Sequence, residues 1–266
     1  MWRVVRSELV RLRRRTFVLG WLGLTTLSSV VLTAFAYLAT EQAPEVAEAA
    51  PGGGFPSAEA LAASDGLTAA LGSTATLLGV VTLAFWAVAT ASDFSTGLIR
   101  LLTQAEPRRA RLLLGKVGAL VLWTGIAATL ATFASVAVSP ALAGATDIPT
   151  DAWGDGAAAL EVVGAGTQLF TSLLVWGVIG LVVAVLTRSA AVAVSAGVAY
   201  VLVVETLVGT VAEDAADWLP GATLRALATG GDAVIDHGTA LTLGAGYAVA
   251  GLAVAAIVLA RRDVSD

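Results

Sequence analysis

Long apolar stretches alternate along the chain with short clusters of charged residues. Five stretches are free of charge, and a sixth carries one acid, Glu205. Each is at least as long as the ~20 residues that a helix needs to cross a hydrocarbon core of ~30 Å. Only helices and closed barrels satisfy their own backbone hydrogen bonds in lipid, and the alternating ~10-residue strands of a barrel are absent. We therefore predict six transmembrane helices, at residues 17–39, 69–92, 117–143, 165–187, 189–211 and 239–260.

Composition indicates the same fold class, an all-α polytopic membrane protein in which residues 1–266 form a single transmembrane domain. Apolar residues make up 57% of the chain and charged residues 13%, against ~25% charged residues in soluble domains. A soluble domain could not cover so much apolar surface, and disordered chains are poor in apolar residues. The first stretch is longer than the ~7–15 apolar residues of a signal peptide, which favours a retained span over a cleaved leader.

The basic residues predict which side of the membrane each segment faces. All but one of the 15 Lys and Arg residues lie before the first predicted helix, after the second, after the fourth or after the sixth. The exception is Arg225, and the intervening segments are acidic. Because basic segments stay on the cytoplasmic side, we expect both termini and the loop 93–116 to be cytoplasmic.

Residues 1–16 have the pattern of an amphipathic helix. Trp2, Val5, Leu9 and Leu12 recur at spacings of three and four, so they share one helical face, and most of the Arg residues lie elsewhere. Such a helix is expected to lie on the inner leaflet of the membrane. A plain topology signal of positive charge is the simpler alternative, and the two interpretations are compatible.

Two outer segments are predicted to differ in character. The segment 41–65 is rich in Pro and Gly and is expected to be irregular. The segment 212–238 contains an apolar stretch at residues 217–232, which is too short to span a membrane. It is either a re-entrant or interfacial helix, which is tolerated where protein buries it, or an ordinary amphipathic loop helix.

One acid lies within a predicted span and is a candidate functional residue. An ionisable residue inside a membrane is costly and often functional, and Glu205 is the only acid within a span. If residues 217–232 fold back, Arg225 can reach Glu205 and pair with it. Glu205 and Arg225 are therefore candidates for a transport pathway or gate. The alternative is that Glu205 is an interfacial acid that reaches water.

The residue inventory offers little for catalysis. The chain has no Cys and a single His, His237, in an outer segment, so thiol chemistry and His-based metal sites are unsupported. Gly115-Lys116 is not a phosphate-binding loop, because that motif needs Gly at 110 and Ser or Thr at 117, where the chain has Ala110 and Val117. We therefore expect no enzyme activity, no metal and no cofactor on this chain.

The cytoplasmic loop 93–116, DFSTGLIRLLTQAEPRRARLLLGK, is the most informative segment. Asp93 is expected to cap a short amphipathic helix that ends at a Pro. The loop resembles the one between helices 2 and 3 of ABC-2 type transporter permeases, with an acid, a Gly, a short Leu/Arg helix, a Pro, a basic pair and a Lys in order. The residues that carry this pattern are Asp93, Gly97, Arg100, Leu101, Leu102, Pro107, Arg108, Arg109 and Lys116.

The resemblance implies a function. In that family the loop holds a coupling helix that contacts a separate cytoplasmic ABC ATPase, which hydrolyses the ATP, and a second permease copy or a paralogue completes the transport path. We therefore expect a multi-pass permease subunit of an exporter in a bacterial cell membrane, in contact with membrane lipid and not with nucleic acid. The alternatives are an ion-driven secondary transporter, which needs several intramembrane polar sites, and a non-transporting scaffold with a basic topology loop.

Overall fold

The computed structural model describes residues 2–13, 16–42, 54–98, 109–154, 158–211, 218–232 and 234–261. Within these ranges the chain forms helices and no β-strand. A 3-10 helix covers Asp151–Gly154, and a π-helical segment covers Tyr200–Glu205. In chain order the helices are α1 (Trp2–Arg13), α2 (Thr16–Gln42), α3 (Ala58–Ala62), α4 (Gly66–Ser73), α5 (Ala75–Ser95), α6 (Arg109–Ala145), α7 (Ala158–Thr187), α8 (Ala190–Ala199), α9 (Thr206–Val211), α10 (Pro220–Thr229) and α11 (His237–Arg261).

Five of the described helices, α2, α5, α6, α7 and α11, are long and apolar enough to cross a membrane. This finding confirms the predicted class, an all-α polytopic membrane protein. The predicted span 69–92 is divided, because α4 ends at Ser73 and α5 begins at Ala75. The predicted span 189–211 is helical but is interrupted by the π-helical segment.

The spanning helices extend beyond the apolar stretches that predicted them. The apolar stretch marks the part of a helix matched to hydrocarbon, whereas the backbone hydrogen bonds continue into polar surroundings. α6 has 37 residues and is ~55 Å long at 1.5 Å per residue, well above the ~30 Å of the hydrocarbon core. We call the end of the bundle with α1 and the start of α6 the basic end, and the opposite end, with α4 and α10, the acidic end.

Helices α5 and α7 pack closely against each other. A Cβ added to Gly79 of α5 would stand 2.3 Å from the indole of Trp176, and one added to Gly177 of α7 would stand 2.4 Å from the indole of Trp86. Each helix thus receives the other's indole at a Gly. Trp86 also donates a 2.9 Å hydrogen bond from Nε1 to Thr124 of α6. Small residues that allow such close approach are typical of membrane bundles.

A seam of small polar residues holds α2 against α6. The hydroxyl of Ser29 donates to the carbonyl oxygen of Ala131 at 2.8 Å, and the hydroxyls of Thr33 and Ser135 share a hydrogen bond of 2.8 Å. Ser29, Thr33 and Ser135 are fully buried. Because these three hydroxyls find partners across the interface, the seam joins α2 to α6 and satisfies their hydrogen bonds.

Within the segment 41–65, residues 58–62 form the short helix α3, so the prediction that this segment is irregular is wrong for these residues. Ser57 accepts a hydrogen bond from the backbone N–H of Ala60 and so caps α3. Leu61 is fully buried, and its carbonyl oxygen accepts a 2.9 Å hydrogen bond from Trp153 Nε1. The Pro and Gly content of the segment did not indicate this apolar anchor.

Candidate functional site

Four charged side chains meet inside the basic end, where α1, α5 and α6 come together. Asp93, in the last turn of α5, forms an ion pair with Lys116 of α6. Asp93 Oδ1 lies 3.0 Å from Arg11 Nη2, and the same Arg11 nitrogen lies 2.6 Å from Glu8 Oε2. We call Glu8, Arg11, Asp93 and Lys116 the charge cluster. The cluster contains two acids and two bases, so its formal charge is zero. Along the cluster the acids and bases alternate.

The charge cluster is buried, which makes the pairing energetically significant. Glu8, Asp93 and Lys116 expose 6%, 4% and 8% of their surfaces. Removing one partner from a buried ion pair costs about 3–5 kcal/mol, because the remaining charge is left without compensation. The three helices are therefore held in one arrangement by side chains that cannot separate cheaply.

Asp93 owes its position to the length of α5. The expectation that Asp93 caps a short helix is wrong, because α5 continues through Asp93 to Ser95 and directs the carboxylate toward α6 and α1. The backbone then turns at Gly97, whose φ of +66° belongs to the left-handed region that favours glycine. Gly97 thus ends the helix just after the residue that forms the ion pair.

The structure describes some of the predicted coupling residues and brings two of them together. Asp93 and Lys116 form the ion pair, and Gly97 makes the turn. Arg109 lies elsewhere, since its Nη1 donates a 2.6 Å hydrogen bond to the carbonyl oxygen of Leu259 at the end of α11. The remaining predicted residues lie outside the described residues: Arg100, Leu101, Leu102, Pro107 and Arg108.

Sequence reasoning missed the contribution of Glu8 and Arg11. Arg11 was one of six Arg residues assigned to topology, and nothing in its spacing distinguishes it from the others. Glu8 offered a signal, because it is the only acid before residue 41 and stands within an Arg-rich segment. An acid that interrupts a basic segment is a candidate for a specific ion pair.

The predicted N-terminal amphipathic helix is confirmed, as α1 is helical over Trp2–Arg13. Part of its surface faces protein, however, rather than lipid. A Cβ added to Gly118 of α6 would stand 3.2 Å from a methyl group of Val5, and Leu9 packs against a core that includes Trp21. Val5 and Leu9 of the predicted apolar face therefore pack on the bundle, and the same helix carries Glu8 and Arg11 to Asp93.

A second polar site lies at the acidic end, around Glu205. This acid ends the π-helical segment, and its Oε1 accepts a 2.6 Å hydrogen bond from the backbone N–H of Gly221. Gly221 is in the first turn of α10, where N–H groups lack helical partners and attract negative charge. A Cβ on Gly221 would stand 1.7 Å from Glu205 Oε2, so any other residue at this position would displace the carboxylate. The carboxylate thereby ties the π-helical segment to α10.

Glu205 does not form the predicted ion pair with Arg225 in this structure. Arg225 is close enough to Glu205 to attract it electrostatically, but its ion pair is with Asp232, at 3.6 Å and half-exposed. Asp232 lies just beyond the end of α10, within reach of Arg225 on the same short helix. The Glu205 carboxylate takes a backbone N–H instead, a donor that sequence reasoning cannot single out because nearly every residue has one.

Helix α10 packs into the bundle rather than lying freely at its surface. Leu224 and Leu227 are buried, and the carbonyl oxygen of Leu224 accepts a 2.8 Å hydrogen bond from Ser172 of α7. The helix ends at Gly230, with φ of +85°. At the start of α11, Asp236 accepts hydrogen bonds from Thr239, which hold the pKa of the Asp236 carboxyl below its usual range. The end of α10 and the start of α11 are thus each held by local backbone geometry and hydrogen bonds.

No known protein family matches the chain, and no curated protein matches its sequence. Among the described residues there is no group of three or more His, Cys, Asp and Glu side chains that could hold a metal ion. The arrangement of the two polar sites, one at each end of the bundle, is therefore the basis on which a function can be inferred.

Proposed function

We propose that the protein is the permease subunit of an ABC-type transporter, which exports a substrate across a bacterial cell membrane with a separate cytoplasmic ATPase. The observation that carries this proposal is the charge cluster. Asp93 and Lys116 stand at the two ends of the loop 93–116 and pair with each other in the protein interior. This ion pair thus joins the two ends of the loop that resembles a coupling segment, and we call the pair the clamp.

The clamp favours a mechanical role over a topology signal. A topology signal needs positive charge alone, but here Arg11 and Lys116 are neutralised by two acids inside the protein. A push on the loop passes into α5 and α6 through Asp93 and Lys116, and into α1 through Arg11. Breaking the clamp costs several kcal/mol, so the three helices respond as one unit.

In this proposal the chain has six spans with both termini in the cytoplasm. The sixth span is formed by α8, the π-helical segment and α9, which together cover residues 190–211. π-Helical segments are rare and occur frequently at functional sites. Residues 217–232 are then a re-entrant element at the outer face, and Glu205, bonded to Gly221 with Arg225 nearby, acts as part of an outer gate.

The partners follow from the same assignment. An ABC ATPase docks on residues 97–106 from the cytoplasm, where Leu101 and Leu102 would otherwise be an exposed apolar liability. A second permease copy or a paralogue completes the path across the membrane. The chain itself contributes no ATP-hydrolysing residue to the complex, and ATP hydrolysis belongs to the partner.

Co-reconstitution tests the proposal. The protein is expressed with a candidate cytoplasmic ABC ATPase, purified as a complex, placed in lipid vesicles and assayed for ATP hydrolysis. Leu101→Asp should abolish the stimulation that the intact chain gives to the ATPase. Leu160→Asp is the matched control, because Leu160 is 76% exposed at the acidic end, far from the loop; it should leave the stimulation unchanged.

Two outcomes contradict the proposal and favour the alternatives. Transport driven by an ion gradient in vesicles without any ATPase indicates a secondary transporter. Normal insertion with no effect on ATP hydrolysis, in the intact chain and in Leu101→Asp alike, indicates a scaffold whose loop 93–116 serves topology.

A further inference from the structure

Two hydrogen bonds hold α11, one toward each end of the bundle. At the basic end, Nη1 of Arg109, the first residue of α6, donates a 2.6 Å hydrogen bond to the carbonyl oxygen of Leu259. Toward the acidic end, the hydroxyl of Tyr247 donates a 2.8 Å hydrogen bond to the carbonyl oxygen of Trp218. Leu259 and Tyr247 both belong to α11. Because Arg109 also belongs to the loop 93–116, the first of these bonds joins that loop to α11.

The position of α11 depends on such contacts because the bundle covers little of it. Of the five described helices that are long enough to span a membrane, α11 is buried least, with 11% of its apolar stretch buried against 67% for α5. It meets its neighbours at glycines. A Cβ on Gly251 would stand 3.1 Å from a methyl group of Val178, and a Cβ on Gly244 would stand 3.3 Å from Leu227. A glycine has no side chain to interlock with the grooves of a neighbouring helix, so the two hydrogen bonds contribute strongly to the axial position of α11.

Arg109 supplies a partner that the end of α11 lacks within the helix. The last four carbonyl groups of a helix have no helical partner, and Leu259 is in the last turn because α11 ends at Arg261. A cationic donor at this point also meets the negative end of the helix dipole. The contact is therefore specific to the end of α11.

The helix α11 is suited to carry a displacement from one hydrogen bond to the other. It is an uninterrupted α-helix over His237–Arg261, and Leu259 lies ~18 Å along its axis from Tyr247, at 1.5 Å per residue. Trp218, which accepts the Tyr247 hydroxyl, lies just before the start of α10. Rigid elements with defined contacts at two points are a physical route for coupling between sites.

The same region of α11 lies beside the Glu205 site. Tyr247 packs against a buried cluster that includes Leu224 and Leu227 of α10. Tyr200, the first residue of the π-helical segment that ends at Glu205, packs against this cluster as well. A shift of α11 at Tyr247 therefore acts on both elements that the Glu205 carboxylate joins.

We propose that Arg109 is a positioning residue, which fixes α11 along the bundle axis and, through Tyr247 and Trp218, holds the start of α10, where the Gly221 N–H binds Glu205. In the proposed exporter, movement of the loop 93–116 then reaches the outer gate through α11. This transport role rests on the proposed function. The link between the two ends of the bundle is a property of this chain alone and is tested without an ATPase.

Hydrogen–deuterium exchange of the full-length protein in nanodiscs tests the link. The two reporters are the amides of Gly221, bonded to Glu205, and of Thr223, bonded to the carbonyl oxygen of Leu219, resolved by electron-transfer fragmentation. Arg109→Ala should accelerate the exchange of both by at least about fivefold, the lower end of the coupling found between distant sites. Exchange reports local opening, so an Arg109 that only caps the last turn of α11 leaves these amides unchanged.

Matched variants make the test specific. Arg111→Ala removes the same charge from an exposed position nearby on α6 and should leave both reporters unchanged. Arg109→Lys keeps a cationic donor and should restore most of the original rate. The amide of Thr239, bonded to Asp236 at the start of α11, is the internal control and should exchange at the same rate in every variant.

Tyr247→Phe tests the far end of the link. It removes the hydroxyl that donates to Trp218 and should also accelerate both reporters. Substitutions whose sites lie ~18 Å apart normally act independently, so their factors multiply. Because Arg109 acts through Tyr247, the double variant Arg109→Ala/Tyr247→Phe should instead exchange about as fast as Tyr247→Phe alone.

Any one of four results overturns the proposal. Unchanged reporters in Arg109→Ala make Arg109 a local cap of α11, and equal acceleration in Arg111→Ala assigns the effect to charge at the basic end. Equal acceleration of the Thr239 amide indicates general destabilisation. Factors that multiply in the double variant separate the two hydrogen bonds. Stimulation of an ATPase is measured in a different experiment, so failure of this link is distinguishable from failure of the proposed function.

Discussion

Asp93 and Lys116 form a buried ion pair that joins the end of α5 to the start of α6, and Arg11 extends it to α1. The two paired residues are separated along the chain by the whole basic loop, yet they meet in the interior. A loop whose two ends are joined in this way cannot tilt or shift without moving both helices. This relationship gives the charge cluster a role that positive charge on a surface loop does not have.

Lys116→Met should destabilise the protein by less than the ~3–5 kcal/mol of a wholly uncompensated buried charge, because Asp93 keeps one base, Arg11, instead of two. Asp93→Asn should have a comparable effect on Lys116. The double variant Asp93→Asn/Lys116→Met should be more stable than the sum of the two single effects predicts, since no uncompensated charge remains between these positions. Thermal unfolding in detergent measures each free-energy change.

Arg6→Gln is the matched control for the charge cluster. Arg6 lies on α1 beside the cluster residues but is exposed, so its removal should change stability by less than about 0.5 kcal/mol. Additive effects of Asp93→Asn and Lys116→Met, within the error of the measurement, contradict the ion pair as the element that clamps the loop.

Gly221→Ala should disconnect α10 from the π-helical segment. The added methyl group would displace the carboxylate at the end of the flexible Glu205 side chain, because its position lies 1.7 Å from Glu205 Oε2. The loss of the hydrogen bond between the Gly221 N–H and the Glu205 carboxylate is expected to cost about 1.5–3 kcal/mol, the range for bonds to charged groups. Hydrogen–deuterium exchange of residues 220–229 should become faster.

Two variants separate this bond from a general effect of substitution. Glu205→Gln keeps an acceptor oxygen for the Gly221 N–H and should be milder than Gly221→Ala. Gly246→Ala adds the same methyl group to α11 at a point where no atom lies within 4 Å, and it should be neutral. Unchanged exchange of α10 in Gly221→Ala refutes the anchoring role of Glu205.

The parts of the structure that depend on local composition were accessible from the sequence. Asp93 and Lys116 stood out because they flank an Arg-rich loop, and Glu205 stood out as an acid within an apolar stretch. The spanning helices followed from hydropathy, although the start of α6 at Arg109 did not, because a helix continues where its backbone hydrogen bonds continue.

The parts that depend on tertiary packing were not accessible. Arg11 pairs with Asp93 only because Val5 of α1 packs against α6 at Gly118. Gly221 is distinguished from the other glycines of this Gly-rich chain only by its approach to Glu205. Arg225 was matched with Glu205 by elimination, whereas the fold supplies the nearer Asp232. Which residue a charged side chain pairs with thus depends on the folded structure and cannot be read from the sequence alone.

The orientation of the chain can be tested by cysteine labelling, because the natural sequence contains no Cys. In intact cells an impermeant maleimide added from outside should label Gly53→Cys and should not label Gln104→Cys. The reason is the distribution of Lys and Arg, which keeps basic segments in the cytoplasm. Both variants should react after the membrane is opened, which controls for expression. Labelling of Gln104→Cys from outside reverses the proposed orientation.

The most direct test of the proposed function is a cross-link between the loop 93–116 and the ATPase. The protein is co-expressed with a candidate ABC ATPase, Gln104→Cys is modified with a photoactivatable maleimide, and the sample is irradiated in membrane vesicles opened to the reagent. We predict a covalent product of the two chains from position 104, none from Gly53→Cys, and loss of the product at position 104 when Leu101→Asp is added. Absence of the product at position 104 while the ATPase is present and active in the same membranes contradicts a permease that couples through this loop.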